Sequence, residues 1–192
     1  VEVNTTCRPL CVTSATHWFT ALADQLEPDP VIWACAAIGV MTPAVVAGAP
    51  WAGARDGAAT LRIAATAPRV ASVLQGIHSR SPRARVFVVG YPAILPETGG
   101  GCWPSLPLAN DDVPWLRDKE KELNAMLATQ AAANGASYVD TYTPSIGRDA
   151  CRPPGVRWVE PIIPNGLQAA PVHPNALGEA GMATLVAARI AA

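Results

Sequence analysis

The sequence lacks several features that would point to particular classes of protein. Only 15% of its 192 residues are charged, and 14 Lys and Arg face 15 Asp and Glu, which gives a net charge of −1. A nucleic-acid-binding domain usually carries a strong basic excess, so this balance argues against nucleic acid as a partner. The sequence also has no unbroken apolar run of about 18 residues, which argues against a helix that spans a membrane.

Hydrophobic residues make up 50% of the chain, which is enough apolar material for a sizeable core. The length suits a single domain over residues 1–192, because no repeat or linker-like stretch divides the chain. The N-terminus at Val1 has neither the basic stretch nor the apolar segment of a signal peptide. We therefore expect that an exported form would begin here after processing.

Histidine is scarce, and the cysteines are widely spaced. The chain has three histidines and five cysteines without a CxxC pair, so we expect no metal site. Wide spacing favours disulfides and export, and the alternative is a set of buried free thiols in a cytosolic protein. Cys102 and Cys151 each lie in a loop rich in Pro and Gly, and we predict that they pair. Because five is an odd number, one cysteine stays without an intrachain partner, and Cys7 is our candidate.

The periodicity of the apolar residues predicts alternating helices and strands. The clearest strand is 85–91, and the clearest helix is 115–134 with Gly135 at the position of a C-terminal cap. The other predicted helices are 11–26, 68–80 and 175–191, and the other predicted strands are 31–37, 60–65 and 137–140. Residues 43–57 read as a loop or an irregular helix, and long loops cover 92–114 and 141–172.

This alternation predicts an α/β fold, in which helices cover both faces of a parallel sheet. In such sheets the site lies at the carboxyl ends of the strands, so both long loops should meet at one edge. His173 lies at the end of the second loop, between Pro171 and Pro174 and just ahead of a helix. A histidine held in a rigid turn there is a candidate general base, and the alternative is a structural or surface histidine.

Four segments carry a more specific signal: RARVFVVGYPAILP, GASYVDTYTPSIGRDAC, RWVEP and HPNALGEAGMA. Over residues 68–192 their order resembles the actinobacterial secreted branch of the SGNH (GDSL-type) hydrolases. The resemblance implies a flavodoxin-like three-layer α/β/α sandwich, and hydrolysis of carboxylic esters by a serine nucleophile with His173 as the catalytic histidine. It further implies a secreted or cell-envelope protein that acts on a small-molecule or lipid ester without a cofactor. We expect a monomer.

The partner of His173 stays open at this point. Many members of the family place an acidic residue three positions before the histidine, where this chain has Ala170. Some members use a backbone carbonyl near a tryptophan instead, and Trp158 would be its counterpart here. Asp149 and Glu160 lie close enough in sequence to be rival partners.

The N-terminal third departs from the family pattern, because it contains neither a GDS motif nor a GxND motif. In one register, CVTSATHWFTALA followed by VIWAC resembles a later family segment. That register pairs Cys11 with Cys35, makes Ser14 a helix cap, and places the nucleophile strand upstream of Val1. It matches more family residues than the register described next.

In a second register, PLCVTS is the first strand, and Ser14 at the strand-to-helix turn is the nucleophile. Gly39 then comes near the oxyanion, and Thr66 stands where the asparagine belongs, with a hydroxyl that can donate one hydrogen bond. Ser105 and Ser145, in loops near the expected site, are the other candidates for the nucleophile.

Two functions from different classes follow. The first is a serine ester hydrolase that works by acyl transfer. The second is a catalytically impaired domain or fragment of the same fold that binds carbohydrate or lipid, which the missing motifs favour. Three tryptophans near the long loops either line an apolar acyl pocket or pack beneath these loops: Trp103, Trp115 and Trp158.

Overall fold

The structure is a computed structural model that describes residues 52–163 and 169–192, with side chains from residue 57 onward. In chain order, the elements within these ranges are α1 (Ala52–Arg80), β1 (Phe87–Val89), α2 (Asp112–Ala133), β2 (Ser137–Val139), α3 (Tyr142–Ser145) and α4 (Ala176–Ala191). None of the helices described in these ranges is long and apolar enough to cross a membrane.

Strands β1 and β2 are parallel neighbours, joined by a crossover through α2. Phe87 is paired with Ser137, and Val89 with Val139. One more backbone hydrogen bond extends the ladder at the carboxyl end, from the Gly90 amide to the Val139 carbonyl at 3.0 Å. This β–α–β unit belongs to an α/β fold, as the alternation of elements predicted.

The main core lies between α1, α2 and one face of the two strands. Its buried members are Ile63, Val70, Leu74, Leu123 and Leu127. The spacings of seven and four residues place these side chains on one face of each helix. Alternate strand residues, Val88 and Tyr138 among them, pack against the same cluster because successive strand side chains point to opposite faces.

The region around Pro68 differs from the prediction, because a single 29-residue helix replaces the expected strand 60–65 and the later helix start. Pro68 removes one backbone donor from this helix. The proline does not end α1, since Ile63 and Val70 pack into one cluster from either side of it. The alanine-rich sequence also favours helix. The strand prediction for 60–65 is therefore wrong.

The other described elements match their predicted positions, with shifted ends. Helix α2 begins earlier than predicted and ends in a glycine cap, where Gly135 has φ +72° and the Ala136 amide donates to the Ala131 carbonyl at 2.9 Å. The predicted loop 141–172 contains the short helix α3, which was missed. The predictions for 11–26, 31–37 and most of 43–57 lie outside the described residues.

Candidate active site

Two long segments meet at the carboxyl ends of β1 and β2. Their hydrogen bonds run from the Thr141 hydroxyl to the Gly90 carbonyl at 2.6 Å, and from the Ala93 amide to the Ser145 hydroxyl at 2.7 Å. Beneath them lies a second apolar cluster of Leu95, Leu106, Val113 and Ala150. The prediction that both loops share one sheet edge is confirmed.

A disulfide joins the two segments. Cys102, in the loop after β1, is bonded to Cys151, in the segment after α3, and their Cα atoms are 5.5 Å apart. The predicted pair is thus present in the structure. The Ala150 amide donates to the Ile94 carbonyl at 3.0 Å, so a backbone hydrogen bond reinforces the same junction.

The His173 side chain is exposed, and a main-chain carbonyl orients it. Its Nδ1 lies 2.8 Å from the carbonyl oxygen of Pro171. Because a carbonyl oxygen only accepts, Nδ1 must carry the proton in this hydrogen bond. In the neutral ring, Nε2 is then the atom with a free lone pair, which is the form a general base needs.

The turn that carries His173 has an unusual backbone. Val172 has φ +61°, a left-handed conformation that is costly for a β-branched residue. The His173 amide donates to the Ala170 carbonyl at 3.1 Å, which closes the turn. Val172 therefore lies at the sharpest point of the turn, directly before His173.

Residues 158–160 brace this turn from the protein side. The Val172 amide donates to the Glu160 carbonyl at 2.9 Å, and the Glu160 amide donates to the His173 carbonyl at 2.9 Å. Val159 and Pro174 form an isolated antiparallel bridge between the same two segments. The backbone on both sides of His173 is thus fixed to one buried segment.

Asn175 connects this turn to α4. Its Oδ1 caps the helix by accepting from the amides of Leu177 and Gly178, at 3.0 and 3.1 Å. Its Nδ2 donates to the Arg157 carbonyl and to Glu160 Oε1, both at 2.9 Å. The Asn175 side chain therefore accepts through Oδ1 and donates through Nδ2, which explains why asparagine suits this position.

Trp158 packs against Gly178 and Gly181 of α4. A Cβ at Gly178 would collide with the Trp158 carbonyl, and one at Gly181 would collide with its indole. The Trp158 carbonyl accepts from the Asn175 amide at 2.8 Å, and the Arg148 guanidinium lies 5.3 Å from the ring centroid. The carbonyl beside the His173 ring is that of Pro171, and not that of Trp158.

Neither of the rival carboxylates bonds to the His173 ring, although both are fully buried. Asp149 accepts from the Cys151 amide at 3.0 Å and from Arg152 Nε at 3.1 Å. Glu160 forms an ion pair with Arg157 and accepts from Asn175. Within the described residues, the group beside Nδ1 of His173 is a backbone carbonyl, whereas in a Ser-His-Asp triad it is a carboxylate.

The candidate serines and oxyanion donors are only partly described. The residues predicted for the nucleophile, one oxyanion donor and the second disulfide lie outside the described residues: Ser14, Gly39, Cys11 and Cys35. The Thr66 hydroxyl, in α1, donates to the Arg62 carbonyl at 2.8 Å, which is a bond within the helix. Its oxyanion role stays a prediction.

Ser145 and Ser105 hold parts of the loops together. The buried Ser145 hydroxyl donates to the Tyr142 carbonyl at 2.8 Å while accepting from the Ala93 amide, so it serves the loop junction. The Ser105 carbonyl accepts from the Ile163 amide at 3.0 Å. Neither serine has a hydrogen bond to His173 in the described part of the chain.

A buried acid, Glu120, supports the loop after β1 from α2. Its carboxyl group accepts from the Ile94 amide at 3.2 Å, and burial raises the pKa of Glu120 to about 8. Nearby, Lys121 holds the pKa of Glu97 below its usual value through a 2.6 Å hydrogen bond. At no point in the described ranges do three or more His, Cys, Asp or Glu residues form a metal-binding group.

Comparison with known proteins identifies the family. A model described as the GDSL-like lipase/acylhydrolase family matches residues 5–180. The chain belongs to this family. The resemblance drawn from the sequence motifs is therefore confirmed, and the family match also includes most of the N-terminal third.

Several relatives come from Streptomyces. Lipase 2 of Streptomyces coelicolor is 47% identical over 119 residues, which are 62% of this chain and 40% of that protein. A lipase of Streptomyces rimosus is 29% identical over 110 residues, 56% of this chain and 37% of that protein. The chain thus spans well under half the length of these two relatives.

Two solved structures share the fold of this GDSL family member. The extracellular lipase of S. rimosus has a TM-score of 0.57 and 25% identity, over 80% of this chain and 64% of that one. Phospholipase A1 of Streptomyces albidoflavus has a TM-score of 0.56 and 22% identity, over 79% of this chain and 62% of that one. The predicted α/β class is confirmed.

Sequence reasoning missed the Pro171 carbonyl, Arg157 and Asn175. The role of Asn175 as a helix cap could have been predicted, because an asparagine ahead of an apolar periodic stretch is typical of a helix N-cap. The role of the Pro171 carbonyl could not, since every residue has a carbonyl. Only the left-handed turn at Val172 brings that carbonyl to the ring.

Proposed function

We propose that this protein is a secreted carboxylic-ester hydrolase, in which a serine hydroxyl attacks the ester carbonyl and His173 is the general base. The observation that carries the proposal is the exposed imidazole whose Nδ1 is held by a carbonyl, with Nε2 left to accept a proton. Membership in the GDSL-like lipase/acylhydrolase family supports the reaction class.

The chemistry divides into two proton-coupled steps. As the serine oxygen bonds to the ester carbon, its proton passes to His173 Nε2, and the imidazolium then protonates the departing alcohol. In the second step, water attacks the acyl-enzyme and gives a proton to Nε2. The imidazolium then returns this proton to the serine oxygen as the carboxylic acid leaves. The Pro171 carbonyl accepts from Nδ1 throughout and stabilises the transient positive charge.

The nucleophile we propose is Ser14, with Gly39 and Thr66 as oxyanion donors. The support is the register in which Ser14 follows a short apolar strand. Thr66 would have to release the Arg62 carbonyl to serve an oxyanion. In the other register Ser14 only caps a helix, and Cys11 pairs with Cys35.

The proposed substrate is a lipid or small-molecule ester, because the relatives bear the names lipase, esterase and phospholipase A1. The proposed location outside the cytosol rests on the Cys102–Cys151 disulfide and on an extracellular lipase among the similar structures. The proposed state is a single-domain monomer, which size-exclusion chromatography with light scattering tests directly.

The second candidate function is a lipid- or carbohydrate-binding module that lacks a nucleophile. It is favoured by the absence of the GDS and GxND motifs from the sequence. Such a module would retain the His173 turn for structural reasons and would hydrolyse no ester.

A fluorophosphonate probe separates the two functions. We expect one serine to be labelled, and we expect His173→Ala to reduce labelling and p-nitrophenyl butyrate hydrolysis by about 100-fold or more. The matched control is His78→Ala on α1, which should leave both unchanged. Mass spectrometry of the labelled peptide then identifies the serine, and Ser14→Ala should abolish the adduct.

An unlabelled wild-type protein would favour the binding module instead. Labelling of Ser105 in place of Ser14 would refute the register that makes Ser14 the nucleophile. Full activity in the His173→Ala variant would contradict the role of His173 as the base.

A further inference from the structure

We propose that Arg157, Glu160 and Asn175 form a positioning network that holds His173 in its reactive orientation. The inference rests on the proposed function in one respect only, that His173 is the base. None of these three side chains has a hydrogen bond to the imidazole, so they act through the backbone. The network is defined here by these three residues.

The network is built from polar groups that are almost completely buried. Arg157 is 4% exposed, Glu160 0% and Asn175 1%. Arg157 pairs with one carboxylate oxygen of Glu160, and Asn175 donates to the other at 2.9 Å. Burying such charges costs free energy that apolar side chains would not cost. A specific geometric role for the network is consistent with that cost.

The network is joined to the His173 turn through the backbone of the same residues. The main chain of Glu160 accepts from the Val172 amide and donates to the His173 carbonyl, each at 2.9 Å. Asn175 is anchored by its own amide to the Trp158 carbonyl at 2.8 Å. The turn is therefore held from both ends by residues whose side chains are locked together.

The strained residue shows what the network has to hold. A left-handed conformation is costly for a β-branched residue, and it persists only where the surroundings enforce it. Val172 adopts φ +61° directly before His173. If the bond from Val172 to Glu160 weakened, the turn would relax and the Pro171 carbonyl would leave Nδ1. The base would then lose its fixed tautomer and direction.

Asn175→Ser is the most informative variant. Serine retains a side-chain oxygen that can cap α4, but it lacks the Nδ2 donor to Glu160 and Arg157. Glu160→Gln removes the charge from the ion pair, and its matched control is Glu120→Gln, which alters an equally buried acid on α2. Comparison of Glu160→Gln with Glu120→Gln separates the effect of losing the network from the effect of losing any buried acid.

Two readouts test the role without depending on each other. The first is the ¹⁵N spectrum of the His173 ring, assigned with His173→Gln, which reports whether Nδ1 or Nε2 carries the proton. The second is kcat and KM with p-nitrophenyl butyrate, measured well below each variant's Tm. We expect Nδ1 protonation in the wild type and a mixture of tautomers in Asn175→Ser.

In the same variant we expect kcat to fall about 10- to 100-fold with little change in KM, because a base displaced by about 1 Å is costly. Glu120→Gln should retain the wild-type spectrum and kcat. If Glu160→Gln does not fold, the result for Asn175→Ser alone tests the positioning role of the network.

A wild-type tautomer and kcat in folded Asn175→Ser would overturn the inference. If the wild type keeps Nδ1 protonated but hydrolyses no ester, and Asn175→Ser loses that tautomer, the network stands and the proposed function is refuted. A fall in Tm with both readouts unchanged would also overturn it, since that result marks a purely structural role.

Discussion

Two regions of the molecule are held together in different ways. The core between α1 and α2 is apolar, with Ile63, Leu74 and Leu123 each at most 4% exposed. The region around His173 is held by directional contacts, which are an ion pair and paired backbone hydrogen bonds. Apolar burial is non-directional and tolerates small shifts, whereas a general base must point at one atom. The contrast indicates that stability and orientation are assigned to separate parts of this protein.

Truncation of the apolar core should give the largest loss of stability. Leu123→Ala removes a side chain from the α1–α2 cluster, and we expect the free energy of unfolding to fall by about 2–5 kcal/mol. The matched control is Leu61→Ala on α1, where the side chain is 69% exposed and little change is expected. Urea denaturation measures both. Equal losses in the two variants would contradict the assignment of the core.

Removal of the disulfide, which joins the segments after β1 and α3, should give the second largest loss of stability. We expect the double variant Cys102→Ser, Cys151→Ser to lose about 2–4 kcal/mol, because a closed loop restricts the unfolded chain. Differential scanning calorimetry of the reduced and oxidised wild type provides the control. An identical Tm for wild type and double variant would show that the backbone contacts suffice.

The stability of the protein should depend on pH through Glu120, a buried acid of α2. Its pKa rises from 4.5 to about 8 on folding, so the folded state holds a proton that the unfolded state releases. Stability should therefore be lost as pH rises from about 4.5 to 8, by at most about 1.4 kcal/mol per pH unit from this group. Glu120→Gln should flatten that part of the profile, measured as Tm against pH. An unchanged slope would contradict the raised pKa.

The smallest expected effect concerns the strained turn. Val172→Gly removes the side chain that disfavours φ +61°, and the relief is partly offset by the extra freedom of glycine in the unfolded chain. We expect the free energy of unfolding to rise by about 1 kcal/mol or less. The control is Val156→Gly, at an exposed position outside this turn, which should not be stabilised. Destabilisation of Val172→Gly beyond that of the control would argue against strain at this residue.

The sequence pattern predicted most of the described elements, and the errors have physical reasons. Strand β1 was predicted because it is a nearly continuous apolar run, and helix α2 because its apolar residues repeat with the helical period; β2 and α4 were also predicted close to their positions. Residues 60–65, just before Pro68, were wrongly predicted as a strand because the β-branched Thr60 and Ile63 favour a strand locally. In the folded chain, packing of Ile63 and Val70 into one cluster sustains a helix through the proline.

For the candidate site, the motif around His173 and the Cys102–Cys151 pair could be read from the sequence, whereas the partner of the ring could not. Asp149 and Glu160 were reasonable rivals by distance along the chain. In the structure, both carboxylates bind other groups. Asp149 accepts from the Cys151 amide and Arg152, and Glu160 binds Arg157 and Asn175.

The amino-acid sequence alone determined the family, the order of β1, α2, β2 and α4, and His173 as the candidate histidine, because periodicity and motif spacing are local properties of a chain. Only the tertiary structure decided which oxygen meets Nδ1 of His173. That choice depends on a left-handed turn at Val172 and on buried hydrogen bonds to residues that lie 12 or more positions away in sequence, beyond the reach of any local pattern.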